Sequence, residues 1–172
     1  MFFHENEVSP RVMDSNKKEI NILIVDDDIM VLTLLSSILK ENGYSTLHAF
    51  NGVDAMKIMS SKQVDLLLLD VVMPKIDGFE LIKKMRNSAE YAQIPVIFIS
   101  SSDNTEFIVK GFNEGAVDYV IKPFKKTELI SRIKFHLKNK AKQDQITSQL
   151  EELRKSNRYL LQTIYQLSKT IQ

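Results

Sequence analysis

Four short apolar runs, each ending abruptly in reactive side chains, constrain this chain more than any other feature. Ile22 to Val25 leads into Asp26-Asp27-Asp28, and Val64-Asp65-Leu66-Leu67-Leu68-Leu69 leads into Asp70. Val96 to Ile99 leads into Ser100, and Val117 to Ile121 into Lys122-Pro123. The runs are nearly continuous instead of alternating apolar with polar, the pattern of strands covered on both faces in a parallel sheet. Parallel strands end along one edge, and open α/β sheets hold their ligands at that edge. Acids, a hydroxyl and a lysine at separate strand ends therefore predict one site.

Helical patterns fill the intervals. Val31, Leu34, Leu35, Ile38 and Leu39 mark the first, which Gly43 stops in the usual C-terminal glycine position. Asp77 followed three residues later by Glu80 reads as a capping box opening a helix through Phe79, Leu81, Ile82 and Met85. Asp103, Asn104 and Thr105 offer a cap for a helix through Phe107, Ile108 and Phe112. Five βα units fit the length, joined by right-handed crossovers. The expected fold is a doubly wound α/β domain with a five-stranded parallel sheet in the flavodoxin-like order 2-1-3-4-5. It occupies residues 20–139, after a polar lead-in over residues 1–19 that is expected to be flexible.

Lys125 to Gln172 contains neither proline nor glycine, so a single long helix is possible. Its first half offers Leu129, Ile130, Ile133 and Leu137 to the sheet. Its second half carries Ile146, Leu150, Leu153, Asn157, Leu160, Ile164, Leu167 and Ile171 at alternating spacings of four and three. Placing Leu150 at a heptad a position puts Leu153, Leu160 and Leu167 at d, with Ile164 and Ile171 at a. Isoleucine at a with leucine at d favours a parallel two-stranded coil, and a lone asparagine at a fixes register. Residues 140–172 are thus expected to be a dimerising coiled coil. The seam does not continue in phase to Leu137, which predicts a stutter or break between Lys138 and Gln145.

The carboxylates raise an electrostatic problem. Asp26, Asp27 and Asp70 brought together repel, and a bound cation is the simplest neutraliser. All available ligands are oxygen, which points to magnesium or manganese ahead of zinc. A carboxylate beside such a metal can attack phosphorus. Lys122 supplies positive charge for a phosphoryl oxygen and Ser100 a hydroxyl donor, and phosphoryl transfer is mostly positioning and charge stabilisation. Composition removes competitors. The chain has no cysteine, which excludes disulfides, thiol catalysis and zinc-cysteine sites. Its formal charge of +1 gives no case for direct nucleic-acid binding, and no apolar stretch is long enough to span a bilayer. A cytosolic location is expected, since the first residues also lack the regions of a signal peptide.

On these residues the chain resembles the receiver domain of bacterial two-component response regulators, over Ile20 to Asn139. Asp26 and Asp27 match the acidic pair, Asp70 the phosphoacceptor, and Met73-Pro74 with Asp77-Gly78 the loop after it. Ser100 matches the Thr/Ser position, Tyr119 the switch aromatic, and Lys122-Pro123-Phe124 the closing motif. Asp28 is left as a helix cap. The resemblance implies that Asp27, Asp70 and the Val72 carbonyl ligate magnesium, with Asp26 acting largely through water. It implies that Asp70 accepts a phosphoryl group from the phosphohistidine of a sensor histidine kinase, or from a small donor such as acetyl phosphate. Lys122 would pair with the phosphoryl oxygen, Ser100 would swing to it, and Tyr119 would turn inward behind it. The Lys122-Pro123 peptide would be cis, and the change would be read on the face of the fourth helix, fifth strand and fifth helix. Phe124 and Phe135 are expected to pack, and His48 and His136 to be surface or edge residues without partners.

The expected function is a phosphoacceptor switch whose only chemistry is its own phosphorylation and dephosphorylation. The alternative is the regulatory part of a larger enzyme, such as a diguanylate cyclase, a phosphatase or a hybrid histidine kinase, which the seam running to Ile171-Gln172 favours. A stand-alone aspartyl phosphatase of the haloacid dehalogenase type needs a second acid where Val72 stands.

Overall fold

The computed structural model of the protein describes residues 19–170. The expected lead-in, apart from Glu19, and the last seam residue Ile171 lie outside them. Strands and helices alternate as β1 (Asn21–Val25), α1 (Ile29–Glu41), β2 (Ser45–Ala49), α2 (Gly52–Met59), β3 (Leu66–Leu69), α3 (Gly78–Arg86), β4 (Val96–Ser100), α4 (Thr105–Asn113), β5 (Asp118–Ile121) and α5 (Lys126–Thr170). The sheet is parallel in the order β2-β1-β3-β4-β5, the predicted one.

The continuity of the apolar runs has its cause in two cores. Leu23, Val25, Leu67, Leu69, Val96 and Phe98 point to one face, under α2 and α3. Ile22, Ile24, Leu66, Leu68, Ile97 and Ile99 point to the other, under α1 and the first turns of α5. Side chains alternate across a strand, so burial on both sides requires every position to be apolar. The two edge strands are less covered: β5 buries only Tyr119 and Val120, and β2 departs further. As an edge strand it is only partly covered, and its sequence Ser-Thr-Leu-His-Ala makes no apolar run.

Helix starts follow local chemistry. Asp28, Asn51, Asp77 and Asn104 cap α1 to α4, each accepting from a backbone N–H in the first turn. Asp28 is therefore the cap expected of it. Gly43, in the left-handed region at φ 81°, ends the turn after α1. The phase of α1 differs from the reading: Leu32 and Leu35 are buried, whereas Leu34 faces out. The segment Ile29 to Leu39 is apolar nearly all round, so its pattern alone did not select a face.

Leu129, Ile130 and Ile133 of α5 are buried against the sheet and Leu137 packs at the margin, as expected. An ion pair between Lys126 and Glu41 adds a tie to α1. Phe124 packs at the same core, but Phe135 is mainly exposed, with its ring edge-on to that of His136. Its position two residues after Ile133 turns it off the buried stripe. From Ile146 onward the described seam residues are all exposed. The helix is unbroken through Lys138–Gln145; the change of hydrophobic phase there occurs within a continuous α-helix.

Candidate functional site

The C-terminal ends of β1, β3, β4 and β5 converge on an open cavity of about 530 Å³, lined by Asp26, Asp27, Asp70, Val72, Ser100 and Lys122 among others. Parallel register brings them there: Val25 pairs with Leu69, Leu69 with Phe98, and Ser100 with Ile121. The residue after each strand end then faces the same space.

Lys122 is the centre of the arrangement. Its Nζ lies 2.7 Å from Asp26 Oδ2 and 3.1 Å from Asp70 Oδ1. The remaining carboxylate oxygens are held by the backbone. Asp28 N–H donates to Asp26 Oδ1 at 2.9 Å and Val72 N–H to Asp70 Oδ2 at 2.9 Å. Asp26 and Asp70 are buried, while Asp27 is exposed on the cavity wall. The Lys122-Pro123 peptide is cis.

Burial pushes the Asp70 carboxyl above the usual carboxylate range; Lys122 opposes the rise, while the neighbouring Asp26 charge adds to it. Burial pulls the Lys122 ammonium down, but its bonds and charges with Asp26 and Asp70 outweigh that and hold it above the ordinary lysine value. Both partners of one ion pair are thus shifted upward, which a simple pair would not do. Burial is the main lift on Asp70, and the cation that opposes it is shared with Asp26, which adds repulsion; Lys122 gains from both carboxylates.

Gly78 is required by close approach. A Cβ there would stand 2.5 Å from the Asp70 carbonyl oxygen and 2.9 Å from the Phe98 ring, so the loop after Asp70 can fold back only over a bare backbone. Ser100 is buried, and its Oγ accepts from Ser102 N–H at 3.2 Å. Ser102 carbonyl in turn accepts from Tyr119 Oη at 3.1 Å. The Tyr119 ring is buried against Phe98, with centroids 6.1 Å apart. Sequence reading missed Ser102, whose part depends on loop geometry that no residue pattern encodes.

It also missed the partners of two histidines. His48 is exposed on edge strand β2, as expected, yet its Nε2 lies 2.8 Å from Ser36 Oγ. His136 is half-buried and bonds Asp118 Oδ2 at 3.0 Å, which corrects the expectation that it stands alone. The pairing spans β5 and α5, and only the packing of one on the other reveals it.

Among the described residues no three acidic or histidine side chains form a closed metal cage. Magnesium does not need one, because it keeps several waters and takes one or two carboxylates. An all-oxygen set of Asp26, Asp27, Asp70 and the Val72 carbonyl fits that chemistry. Each Asp26 and Asp70 oxygen is engaged by one donor, which leaves further acceptor capacity.

A family model for the response regulator receiver domain matches residues 22–134. The chain belongs to this family. The receiver is 35% identical over 137 residues to a Porphyra purpurea protein named "Probable transcriptional regulator ycf29", covering 80% of this chain and 63% of that one. It is 36% identical over 125 residues to "Response regulator MprA" of Mycobacterium bovis, covering 73% of this chain and 54% of that one. Among solved structures, the signal receiver domain of a signal transduction histidine kinase from Syntrophus aciditrophicus is 34% identical with a TM-score of 0.65. That match covers 69% of this receiver and 90% of the other chain. The chain spans from about half to just under two thirds of the length of these curated relatives. Among the described residues no helix is long and apolar enough to cross a membrane.

Proposed function

We propose that the chain is a phosphorylation switch in which Asp70 accepts a phosphoryl group from a sensor histidine kinase and α5 carries the response. The observation that carries this reading is the position of Lys122 Nζ, within hydrogen-bond distance of both Asp26 and Asp70 at the shared edge of the sheet. Asp70 is the nucleophile. Asp27, Asp70 and the Val72 carbonyl would hold magnesium, with Asp26 acting largely through water. The metal, when bound, neutralises charge on the transferring group. Lys122 pairs with a phosphoryl oxygen once it gives up its contact with Asp70. Ser100 turns its hydroxyl to another oxygen, leaving the Ser102 N–H, and Tyr119 follows through its bond to the Ser102 carbonyl.

Two units divide the labour: the receiver over residues 20–139 and an output helix over residues 140–172. The exposure of Ile146, Leu150, Leu153, Leu160, Ile164 and Leu167 supports a parallel homodimer through the helix, with Asn157 setting register and Ile171 extending the seam. Burying such a row between two copies removes it from water without disturbing the receiver.

A second reading is that the switch drives an enzyme domain joined to this helix, as in a diguanylate cyclase, phosphatase or hybrid histidine kinase. The unbroken course of α5 out of the receiver favours it, and one solved relative is the receiver of a histidine kinase. In both readings the site works alike. Acetyl phosphate with magnesium should label the chain, and Asp70→Asn should abolish that labelling. An unchanged phosphoprotein band on the variant would remove Asp70 from its role.

A further inference from the structure

The proposed switch ends at Tyr119, and the first residue of the proposed seam, Ile146, lies ten residues beyond His136. One side chain spans the gap between strand and helix. Asp118 opens β5 and is half-buried. Its Oδ1 accepts from the backbone N–H of Tyr119 at 2.8 Å and from Arg132 Nη1 at 2.8 Å. Its Oδ2 meets His136 Nε2 at 3.0 Å. Both carboxylate oxygens are thus engaged, one of them on the switch residue itself, by groups one helical turn apart on α5.

We propose that Asp118 is a positioning residue that couples the state of the Tyr119 strand to the pose of α5, through Arg132 and His136. The proposal rests on the reading of Asp70 as phosphoacceptor and of α5 as output.

Three observations carry it. The first is continuity: Ser100 Oγ to Ser102, Ser102 to Tyr119, Tyr119 to Asp118, and Asp118 to Arg132 and His136. No link in this series is a bare contact; each is a hydrogen bond or a peptide unit. The second is shelter. The side chains of Asp118 and His136 are 16% and 12% exposed, so their bond is shielded from water in a way that an ordinary surface pair is not. Arg132 is more open, but its guanidinium is forked between Asp118 and Glu128, which fixes its plane. The third is rigidity. Ile133, between the two donors, is fully buried against the sheet, and the helix runs unbroken from there to the seam. A displacement of Arg132 and His136 therefore moves the seam with it.

A competing account makes the cluster plain mortar between β5 and α5. Mortar and coupling differ in what they predict. Loss of mortar lowers the melting temperature and leaves the response of the helix in place. Loss of the coupling leaves the site competent and silences the helix.

The absence of cysteine makes the test clean. Single cysteines are placed along residues 150–164 of the full chain, and their cross-linking pattern is recorded with and without magnesium and beryllofluoride. In the parent, the ligand should shift the pattern. In Asp118→Asn and in His136→Ala, acetyl phosphate labelling of Asp70 should stay within about twofold of the parent, while the ligand-induced shift falls at least fivefold. His136→Gln keeps an N–H donor at the same reach and should restore the shift. A full shift in Asp118→Asn, or equal loss in the Gln and Ala variants, would overturn the coupling. A parent that labels but shows no shift would overturn it as well. A parent that fails to label would overturn the reading of the site beneath it, which is a different result.

Discussion

The two halves of α5 contain the same kind of residue at the same kind of spacing and meet opposite fates. Leu129, Ile130 and Ile133 are buried in the receiver core, whereas Leu150, Leu153, Leu160 and Ile164 stand at least half exposed. Helical periodicity records that a face is to be covered, and says nothing of what covers it. In the first half the cover is the chain's own sheet. In the second the described chain supplies none, and under the proposed dimer the difference separates folding energy from association energy within one helix.

Truncation in the first half and added charge in the second should have separate effects. Ile133→Ala should cost the receiver about 2–5 kcal/mol in denaturant unfolding, the range for a large buried aliphatic side chain. Leu153→Asp with Leu160→Asp should leave that unfolding curve unchanged at low protein concentration and turn a dimer into a monomer by light scattering. A dimer surviving the double change would move the interface onto the receiver. Asn157→Ile sharpens the same point more gently. It should tighten assembly and loosen its specificity, so that species larger than a dimer appear in sedimentation.

Smaller effects should come from two carboxylates at opposite ends of the sheet, and their signs should differ. Asp118 is half-buried, which alone would raise its pKa, but bonds from His136, Tyr119 N–H and Arg132 hold it below the ordinary value. Its stabilisation is therefore present above the unfolded carboxylate pKa and is lost as pH falls through the folded one. Asp118→Asn should cost about 1 kcal/mol near neutral pH, with the partly open Arg132 keeping the figure modest, and nothing in strong acid. Asp70 is shifted upward by burial, so its ionised form weakens the fold above the raised pKa and ceases to do so below the ordinary one. Asp70→Asn should raise the melting temperature by a few degrees in the absence of magnesium, about 1 kcal/mol or less. That gain should vanish as pH falls below the ordinary carboxylate range. A destabilised Asp70→Asn at neutral pH would contradict the shared-cation account of Lys122.

Much of this structure was legible in sequence because it follows from local rules. Strands buried on both faces must be apolar throughout, so β1, β3 and β4 announced themselves; β5 kept an apolar run although it is an edge strand, and the residues at or just after these strand ends marked the site. Edge strand β2 did not announce itself, since partial cover imposes no such demand. Asp28 could be told from Asp26 because a cap belongs to the helix that follows it. What stayed hidden depends on contacts between distant elements. The outward phase of Leu34, the exposure of Phe135, the partnership of His136 with Asp118 and the role of Ser102 are all decided by packing. Arg86 is the clearest case. Half-buried, it spends its guanidinium on the carbonyls of Ala92, Ile94 and Gly115, and nothing in its own neighbourhood of sequence forecasts that.

The unbroken course of α5 has a consequence at its base as well as at its tip. From Leu137 to Leu167 the helix extends about 45 Å at 1.5 Å per residue, so a tilt of a few degrees where it meets β5 displaces the far end by several ångströms. Linkage works in reverse with the same free energy. With the proposed coupling through Asp118 in place, whatever clasps the far end and prefers one tilt biases the cation shared at Lys122. Raising the protein concentration, which fills the far end by mass action, should then change how tightly beryllofluoride binds at Asp70: the shaft that reports the site also lets an assembled partner adjust it.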